Sequence, residues 1–403
     1  MKLARRVLEL EESATLATAA KAARMQAQGI NVISFGAGEP DFPTAPHAAR
    51  AGVAAIEAGK TKYAKPASGI PAAKLAVCTK FGRDNGLSYK PDQVIITVGG
   101  KEAVFLAMQA VVNPGDEVVI PIPYWVSYPE IVKLAGGVPV FVAGPEERAY
   151  KLSPDRLQSV LTPKTKLVVF NSPSNPSGVT HSPDEVRALA SALDGREIFV
   201  LSDEIYDQLL FEGQQTLSYA AATDWAYART ITANAGSKTY SMTGWRIGYA
   251  AGPREVIEAM AKLQSQTTSG AATFSQEALA AALTSDQTWV AAMRKEFQQR
   301  ARYMWQRLTA MPGVRCPKPT GAFYCFPNVS ATYERLGVGG SVAFAERLLE
   351  EARVAVVPGI GFGLDAHVRL SFACDRAHAE EGLDRMQALL ESGKNADNGL
   401  DTC

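Results

Sequence analysis

The chain contains 403 residues, which is enough for two or three domains of ordinary size. Hydrophobic residues make up 47% and charged residues 20% of it, which is the composition of a globular protein. Because Lys+Arg and Asp+Glu both number 41, the net charge is zero, which excludes a general electrostatic attraction to nucleic acid or to an acidic membrane.

The N-terminal part alternates between predicted helices and loops. Residues 13–29 are rich in alanine and stop at a glycine, which predicts a helix, and residues 45–59 predict another. The loop of residues 36–43 contains Gly38, and glycine allows the backbone to approach a ligand closely. A second loop contains Tyr63. Taken alone, each loop is also consistent with a simple connection between helices.

From residue 94 the pattern changes to short apolar segments separated by helical ones. Runs this short that are apolar on both faces are typical of buried parallel strands, so they predict a mostly parallel sheet with helices on both sides. The predicted strands are residues 94–98, 117–120, 138–142, 167–170, 198–201, 230–232 and 247–250. In such sheets ligands bind beyond the carboxyl ends of the strands.

Polar, aromatic and glycine residues follow five of these strands. A turn that contains Gly100 and Lys101 opens a helix, and the free backbone amides of a helix N-terminus favour an anion. The residues of interest after the other strands are Trp125, Asn175, Asp203, Tyr206 and Lys238. We therefore expect these side chains to meet at one edge of the sheet.

Lys238 lies in a predicted loop of small residues, and Arg246 follows it along the chain. A lysine held near an aldehyde with a lowered pKa is a nucleophile, and arginine is suited to binding a phosphate. Pyridoxal 5'-phosphate carries both groups. The pair is equally consistent with a solvated lysine and arginine in a surface loop, so the remaining residues decide between the two interpretations.

The C-terminal part predicts a smaller α+β unit. Residues 288–311 and 341–353 predict helices, and short apolar runs lie between and after them. Arg369 lies within one of these runs, and a buried arginine is costly unless it pairs with an anion. An internal acidic residue and a bound ligand are both possible partners at this stage.

The spacing of the cysteines and histidines argues against a disulfide-stabilised protein and against a metal-binding protein. The five cysteines form no CxxC pair and the four histidines are scattered, so we expect no disulfide framework, no metal site and a reducing, cytoplasmic location. Glutamates at positions 9, 11 and 12 interrupt any signal-peptide-like segment. No run approaches the ~20 apolar residues that a membrane span needs.

Several motifs occur in the order and spacing of one family. These are Asn-Pro-Ser-Gly at 175–178, Asp-Glu-Ile-Tyr at 203–206, Ser-Lys at 237–238 and Gly-Trp-Arg at 244–246, with residues 37–42 and 368–372 extending the match. The chain thus resembles the class I, fold-type I, pyridoxal-phosphate-dependent aminotransferases. It most resembles the bacterial aspartate aminotransferases that carry Gly-Gly-Lys after the first strand of the large domain.

The resemblance implies an α/β fold with two domains. The large domain, residues 45–290, is expected to hold a mostly parallel seven-stranded sheet between helices. A smaller α+β domain is expected from residues 291–392 together with the N-terminal segment 1–44. Residues 393–403 are expected to form a mobile tail.

The resemblance also implies the cofactor contacts. Lys238 is expected to form the Schiff base with pyridoxal 5'-phosphate and to move the substrate proton. Asp203 is expected to pair with the ring nitrogen, which makes the ring an electron sink. The other implied contacts are Asn175 and Tyr206 at the ring oxygen, Trp125 on the ring face, and Gly100, Lys101, Arg246 and Ser237 at the phosphate. Tyr63 resembles a tyrosine that reaches the neighbouring subunit's phosphate, which implies a homodimer with shared active sites.

The substrate contacts follow from the same resemblance. Arg369 is expected to bind the α-carboxylate with help from Gly38, next to Trp125 and Asn175. Lys101 and Thr15 are expected to meet a distal carboxylate. The implied reaction is ping-pong transamination between L-aspartate and 2-oxoglutarate. The alternatives are a prephenate or aromatic aminotransferase, a lyase on the same scaffold, or a non-catalytic module that binds the cofactor.

Overall fold

A computed structural model of the chain describes residues 3–11 and 14–392, except for the side chains of residues 14–17 and 19. The expected tail at 393–403 lies outside the described residues. Within them, none of the helices has the combined length and apolar character of a membrane span.

The described residues form twelve strands and sixteen α-helices. The strands are β1 (Ile33–Ser34), β2 (Val94–Thr97), β3 (Glu117–Ile122), β4 (Val138–Ala143), β5 (Thr165–Asn171), β6 (Phe199–Asp203), β7 (Thr230–Ala235), β8 (Gly248–Ala251), β9 (Tyr324–Cys325), β10 (Val354–Ala355), β11 (Val357–Pro358) and β12 (Val368–Ser371). The helices are α1 (Arg5–Leu8), α2 (Ala14–Ala27), α3 (Pro46–Glu57), α4 (Pro71–Asn85), α5 (Gly100–Val111), α6 (Ser127–Leu134), α7 (Pro154–Gln158), α8 (Pro183–Leu193), α9 (Asp224–Arg229), α10 (Gly236–Thr239), α11 (Arg254–Thr267), α12 (Thr273–Thr284), α13 (Thr288–Ala310), α14 (Tyr333–Leu336), α15 (Ser341–Glu351) and α16 (Arg376–Ser392).

Seven strands form one sheet in the order β2-β8-β7-β6-β5-β3-β4. Strand β8 runs antiparallel to both of its neighbours, whereas the pairs among β3, β4, β5, β6 and β7 are parallel. The predicted α/β fold with a mostly parallel seven-stranded sheet is therefore confirmed. Because β8 is reversed, the residues before it reach the same edge as the residues after the parallel strands.

Burial on both faces explains the continuous apolar runs. Alternate residues of β2 enter different cores, since Val94 and Ile96 pack into one apolar cluster and Ile95 packs into another. All three are fully buried. Burial of a side chain of this size contributes about 1.5–3 kcal/mol, so the sheet is a rigid platform for residues at its edge.

The remaining strands form two small sheets. Strand β1 pairs in parallel with β10, and β12 lies between β11 and β9 in an antiparallel sheet. An apolar core contains residues of both small sheets. Helix α13 contributes an apolar stripe of Met293, Phe297 and Leu308 to this core. That core joins residues from both ends of the chain, from Ile33 to Leu390. The boundary expected between 45–290 and 291–392 stays a prediction.

Candidate active site

A cavity of about 250 Å³ lies at the carboxyl edge of the large sheet. Residues that follow β2, β3, β5, β6 and β7 line it, together with residues from the small sheets. Eleven of the thirteen residues singled out in the sequence face this cavity: Gly38, Gly100, Lys101, Trp125, Asn175, Asp203, Tyr206, Ser237, Lys238, Arg246 and Arg369.

Lys238 is on the short helix α10 rather than in the expected loop. Strand β7 continues through Ala235, and the backbone N–H of Tyr240 then donates to the carbonyl of Gly236 at 3.1 Å, which closes a helical turn. The Nζ of Lys238 donates a hydrogen bond to the carbonyl oxygen of Gly38. This turn aims the amine into the cavity.

The surroundings of Lys238 favour a neutral amine. Removal from bulk water lowers the pKa of Lys238 to about 8, and the nearby positive charges of Arg369 and Arg246 act in the same direction. Glu39 opposes this shift. The neutral amine is the nucleophilic form, so the site holds Lys238 close to its reactive state.

Asp203 is a buried carboxylate at the end of β6. Its Oδ2 accepts a hydrogen bond of 2.7 Å from the hydroxyl of Tyr128, and its Oδ1 accepts one of 3.3 Å from the backbone N–H of Ile205. Burial raises the pKa of Asp203, and the Tyr128 hydrogen bond opposes that rise by stabilising the carboxylate.

The segment 203–207 alternates between the cavity and the interior. Asp203 and Tyr206 face the cavity, whereas Glu204 and Asp207 point into a buried polar network. Asp207 forms an ion pair with Lys80, and Glu204 accepts a hydrogen bond of 2.7 Å from Ser202. Burial raises the pKa of Glu204 to about 7. These buried contacts fix the segment from behind, which orients the two residues that face the cavity.

Arg369 is only 2% exposed. Its Nη1 donates to Asn175 Oδ1 at 3.1 Å and its Nη2 donates to the carbonyl of Gly36 at 3.0 Å. The guanidinium lies over the rings of Tyr324 and Phe362, at 4.6 and 5.1 Å from their centroids. Among the described residues Arg369 takes part in no ion pair, and its Nε has no hydrogen-bond partner. The structure therefore places no acidic partner from the described residues beside the guanidinium of Arg369.

An anion-binding arrangement lies at the N-terminus of α5. Gly99 precedes this helix with a φ of +81°, and a Cβ atom there would lie 2.5 Å from Nη2 of Arg246. Glycine therefore allows the guanidinium to approach the free amides of Gly100 and its neighbours. The Nζ of Lys101 lies 5.1 Å from the centroid of the Trp125 ring. Partial burial and the charge of Arg246 lower the pKa of Lys101.

The charges that line the cavity do not balance. Of the described side chains that line the cavity, four are basic and one, Asp203, is acidic. The basic side chains are those of Lys101, Lys238, Arg246 and Arg369. A cavity of this kind attracts a ligand that carries more than one negative charge.

Comparisons with known proteins agree with this geometry. The family model for aminotransferase class I and II matches residues 30–386. The chain belongs to the class I and II aminotransferases. The aspartate aminotransferase of Geobacillus stearothermophilus is 45% identical over 392 residues, which cover 97% of this chain and 100% of that protein.

Two further relatives extend the comparison. The aspartate/prephenate aminotransferase of Cereibacter sphaeroides is 45% identical over 386 residues, or 94% of this chain and 96% of that protein. The structure of the Thermus thermophilus aspartate aminotransferase with maleate superposes with a TM-score of 0.92 at 42% identity. This match covers 96% of this chain and 100% of that one.

Aminotransferases of this family depend on pyridoxal 5'-phosphate. The residues at the cavity fit that group, because an amine of lowered pKa, a buried carboxylate and an anion-binding helix N-terminus all face one space. Among the described residues, no group of histidine, cysteine, aspartate or glutamate side chains is arranged to hold a metal ion.

Two of the predicted site residues of this aminotransferase, Tyr63 and Thr15, need separate mention. Tyr63 is 82% exposed and borders a separate surface cavity with residues 269–274. The side chain of Thr15 lies outside the described residues. Neither the role of Tyr63 in a partner's site nor the role of Thr15 is tested by the single chain.

Sequence reasoning missed other residues of the cavity wall. Asn171 ends β5, and its Nδ2 donates to the carbonyl of Asp203 at 2.8 Å. Because Asn171 directly follows the predicted strand 167–170, its position could have marked it as a candidate site residue. Tyr128 and Tyr324 also line the cavity, and the hydroxyls of Tyr324 and Tyr206 are 3.0 Å apart. No motif marked these two tyrosines, because tertiary packing alone brings them to the site.

The lowered pKa of Lys238 is open to direct measurement in the cofactor-free protein. Brief labelling with acetic anhydride across a pH series reports the neutral fraction of each lysine by mass spectrometry of its peptide. We expect the labelling rate of Lys238 to reach half its maximum near pH 8, because the amine must lose its proton first. A short lysine-containing peptide added to each reaction is the control, because a free lysine side chain has a midpoint of about 10. A midpoint for Lys238 equal to that of the control would contradict the proposed environment.

Proposed function

We propose that this aminotransferase transfers the amino group of L-aspartate to 2-oxoglutarate and forms oxaloacetate and L-glutamate. The excess of basic side chains in the cavity supports this proposal most directly. The amine of Lys238 and the arrangement around Arg246 suit an aldehyde and a phosphate. Arg369 and Lys101 remain as two cations for a substrate with two carboxylates.

The cofactor contacts are proposed from the residues that face the cavity. When bound, pyridoxal 5'-phosphate supplies an aldehyde that captures amines and a ring that accepts the electrons released at the substrate Cα. Asp203 would hold the ring nitrogen, while Asn175 and Tyr206 would hold the ring oxygen. The indole of Trp125 would cover the ring face. The amides of Gly100 and Lys101, the guanidinium of Arg246 and the hydroxyl of Ser237 would hold the phosphate.

Lys238 acts as the acid–base group. Its Nζ, once neutral, removes the proton from Cα of the bound amino acid. The carbonyl of Gly38 orients that nitrogen, and the lowered pKa keeps much of it neutral near pH 8. The same nitrogen returns a proton when the oxo acid is converted into the product amino acid, so one side chain serves both halves of the exchange.

Arg369 holds the α-carboxylate of the substrate. Its two outer nitrogens present a planar pair of donors, and Asn175 keeps the guanidinium in place. Lys101 is proposed to meet the distal carboxylate. Lysine is a point charge with a flexible stem, so it sets a less exacting geometry there than arginine does. Thr15 is proposed to help at the same carboxylate.

The relatives bear on which substrate is preferred. Two of the three relatives compared are named for aspartate alone, and the Thermus thermophilus structure was solved with maleate, a dicarboxylate. The Cereibacter sphaeroides relative is named for prephenate as well as aspartate. Prephenate also carries two carboxylates, so it is the second candidate substrate for the same pair of cations.

The protein is also proposed to be a homodimer that shares its active sites. Support comes from apolar side chains that are about half exposed on α3 and α4, namely Val53, Ile56 and Leu75. The exposed ring of Tyr63 follows α3 along the chain. The cytoplasmic location stays a prediction.

The proposed reaction is tested by a screen of amino donors. The purified protein with pyridoxal 5'-phosphate is mixed with aspartate, glutamate, prephenate's amino product, phenylalanine or alanine, and the change in cofactor absorbance is recorded. We expect the fastest change with aspartate and no turnover for Lys238→Ala, since that variant lacks the acid–base nitrogen. Absence of any change with every amino acid would exclude transamination. A faster change with prephenate's amino product would favour the second candidate.

The role of Lys101 is tested by Lys101→Ala. Loss of a charged contact to the distal carboxylate is expected to lower kcat/KM for aspartate by about tenfold to a hundredfold, or 1.4–2.8 kcal/mol. Phenylalanine lacks that carboxylate and should be affected far less. Because Lys101 also borders the phosphate region, the ratio of the two substrates is the informative quantity. An equal loss for both would show that Lys101 does not read the distal carboxylate.

Shared sites are tested by pairing two defective subunits. Tyr63→Ala and Lys238→Ala chains are co-expressed with different affinity tags, and the mixed dimer is purified through both tags. If Tyr63 serves the partner's site, one site of the mixed dimer carries both substitutions and the other carries neither. We therefore expect activity well above that of either parent dimer. No recovery, or a mass in solution equal to one chain of 43.1 kDa, would contradict the proposal.

A further inference from the structure

Tyr128 contacts Asp203 and Trp125, two of the residues that are proposed to meet the cofactor ring. Its hydroxyl donates to Oδ2 of Asp203 at 2.7 Å. The edge of its ring packs against the indole of Trp125, with centroids 5.2 Å apart and an interplanar angle of 87°. Tyr128 is 1% exposed and follows Trp125 by three residues, one turn along the start of α6.

The hydroxyl of Tyr128 has a specific electrostatic task. Within the described part of the chain it is the one side chain recorded as donating to the Asp203 carboxylate, and the other donor is a backbone amide at 3.3 Å. Burial raises the pKa of Tyr128 far above its usual value, so the phenol keeps its proton and acts as a donor. A buried carboxylate that loses such a donor becomes easier to protonate and freer to rotate.

We propose that Tyr128 is a positioning residue that keeps Asp203 ionised and oriented toward the ring nitrogen of the cofactor. The inference rests on the proposed binding of pyridoxal 5'-phosphate in this cavity. A carboxylate accepts a charge-assisted hydrogen bond from a protonated ring nitrogen, and a carboxylic acid does not. Tyr128 thereby acts on the cofactor through Asp203.

Tyr128→Phe isolates this hydrogen bond, because the ring that packs on Trp125 is kept. Tyr219→Phe is the matched control. Tyr219 is also buried, at 2% exposure, and no partner for its hydroxyl occurs among the described residues. The control therefore removes a buried phenolic oxygen without breaking a hydrogen bond.

The experiment measures cofactor affinity by equilibrium dialysis with full-length protein from which the cofactor has been removed. Two probes are used: pyridoxal 5'-phosphate and its 1-deaza analogue, in which a C–H replaces the ring nitrogen. We expect Tyr128→Phe to bind pyridoxal 5'-phosphate about tenfold more weakly than the unsubstituted protein, as for loss of a hydrogen bond to a charged group. For the deaza analogue, the affinities of Tyr128→Phe and of the unsubstituted protein should agree within about twofold, because binding of this analogue does not use the hydrogen bond between Asp203 and the ring nitrogen. Tyr219→Phe should match the unsubstituted protein with both probes.

The comparison between probes separates positioning from general damage to the fold. An equal loss of affinity for both probes would mean that the hydroxyl only supports the structure and would overturn the inference. Unchanged affinity for pyridoxal 5'-phosphate in Tyr128→Phe would overturn it as well. In an Asp203→Asn background, Tyr128→Phe should have no further effect, and an added loss there would contradict action through Asp203. If the unsubstituted protein binds neither probe, the proposed function fails rather than the role of Tyr128 alone.

Discussion

An excess of positive charge beside a buried sheet edge is the constraint on which the site depends. Arg369 is nearly inaccessible to water, and no acidic residue among those described pairs with it. Enclosing an unpaired charge costs several kcal/mol, because hydration is lost without a compensating anion. Two neutral oxygens and two aromatic faces offset part of that cost. Under the proposed function, binding of the substrate α-carboxylate would offset the remainder, so part of the affinity for substrate would come from the fold.

The same surroundings set the reactivity of Lys238. Partial exclusion of water and two nearby guanidinium groups both favour the neutral amine, which lowers the pKa to about 8. Replacing Arg369 or Arg246 with a neutral residue would return the amine toward its usual, protonated state, and would also remove a contact that is proposed for the substrate or for the cofactor phosphate. Binding and chemistry therefore depend on one distribution of charge. Asp203, the one carboxylate among the described residues that line the cavity, accepts its side-chain hydrogen bond from Tyr128.

The parts of this architecture that depend on local pattern could be predicted from sequence. Six of the seven strands were visible because burial on both faces requires continuous apolar runs, whereas the edge strand β4 is apolar although Val138 and Phe141 are exposed. The parallel strands bring the residues that follow them to one edge. The helical turn at Lys238 was not predicted, since the strand before it extends to Ala235 and the turn is formed by backbone hydrogen bonds such as that from Tyr240 to Gly236. Tyr128 and Tyr324 were not predicted because a tyrosine in an apolar segment looks like any core residue. Tyr63 poses a different problem, since a residue expected to act on a partner leaves no trace in the geometry of one chain.

The loop of residues 36–42 links the chemistry to substrate binding. Its carbonyl at Gly36 accepts from Arg369, and its carbonyl at Gly38 accepts from Lys238, so one segment orients both cations. Side chains anchor this loop on either side, because Glu39 accepts from Thr243 at 2.6 Å and Asp41 pairs with Arg300 at 2.8 Å. The anchors lie on different parts of the fold, one close to Lys238 and the other on α13. A shift of α13 relative to the sheet would therefore move the loop and change the position of both cations together. One backbone segment thus accepts hydrogen bonds both from the side chain that is proposed to hold the substrate carboxylate and from the proposed acid–base amine.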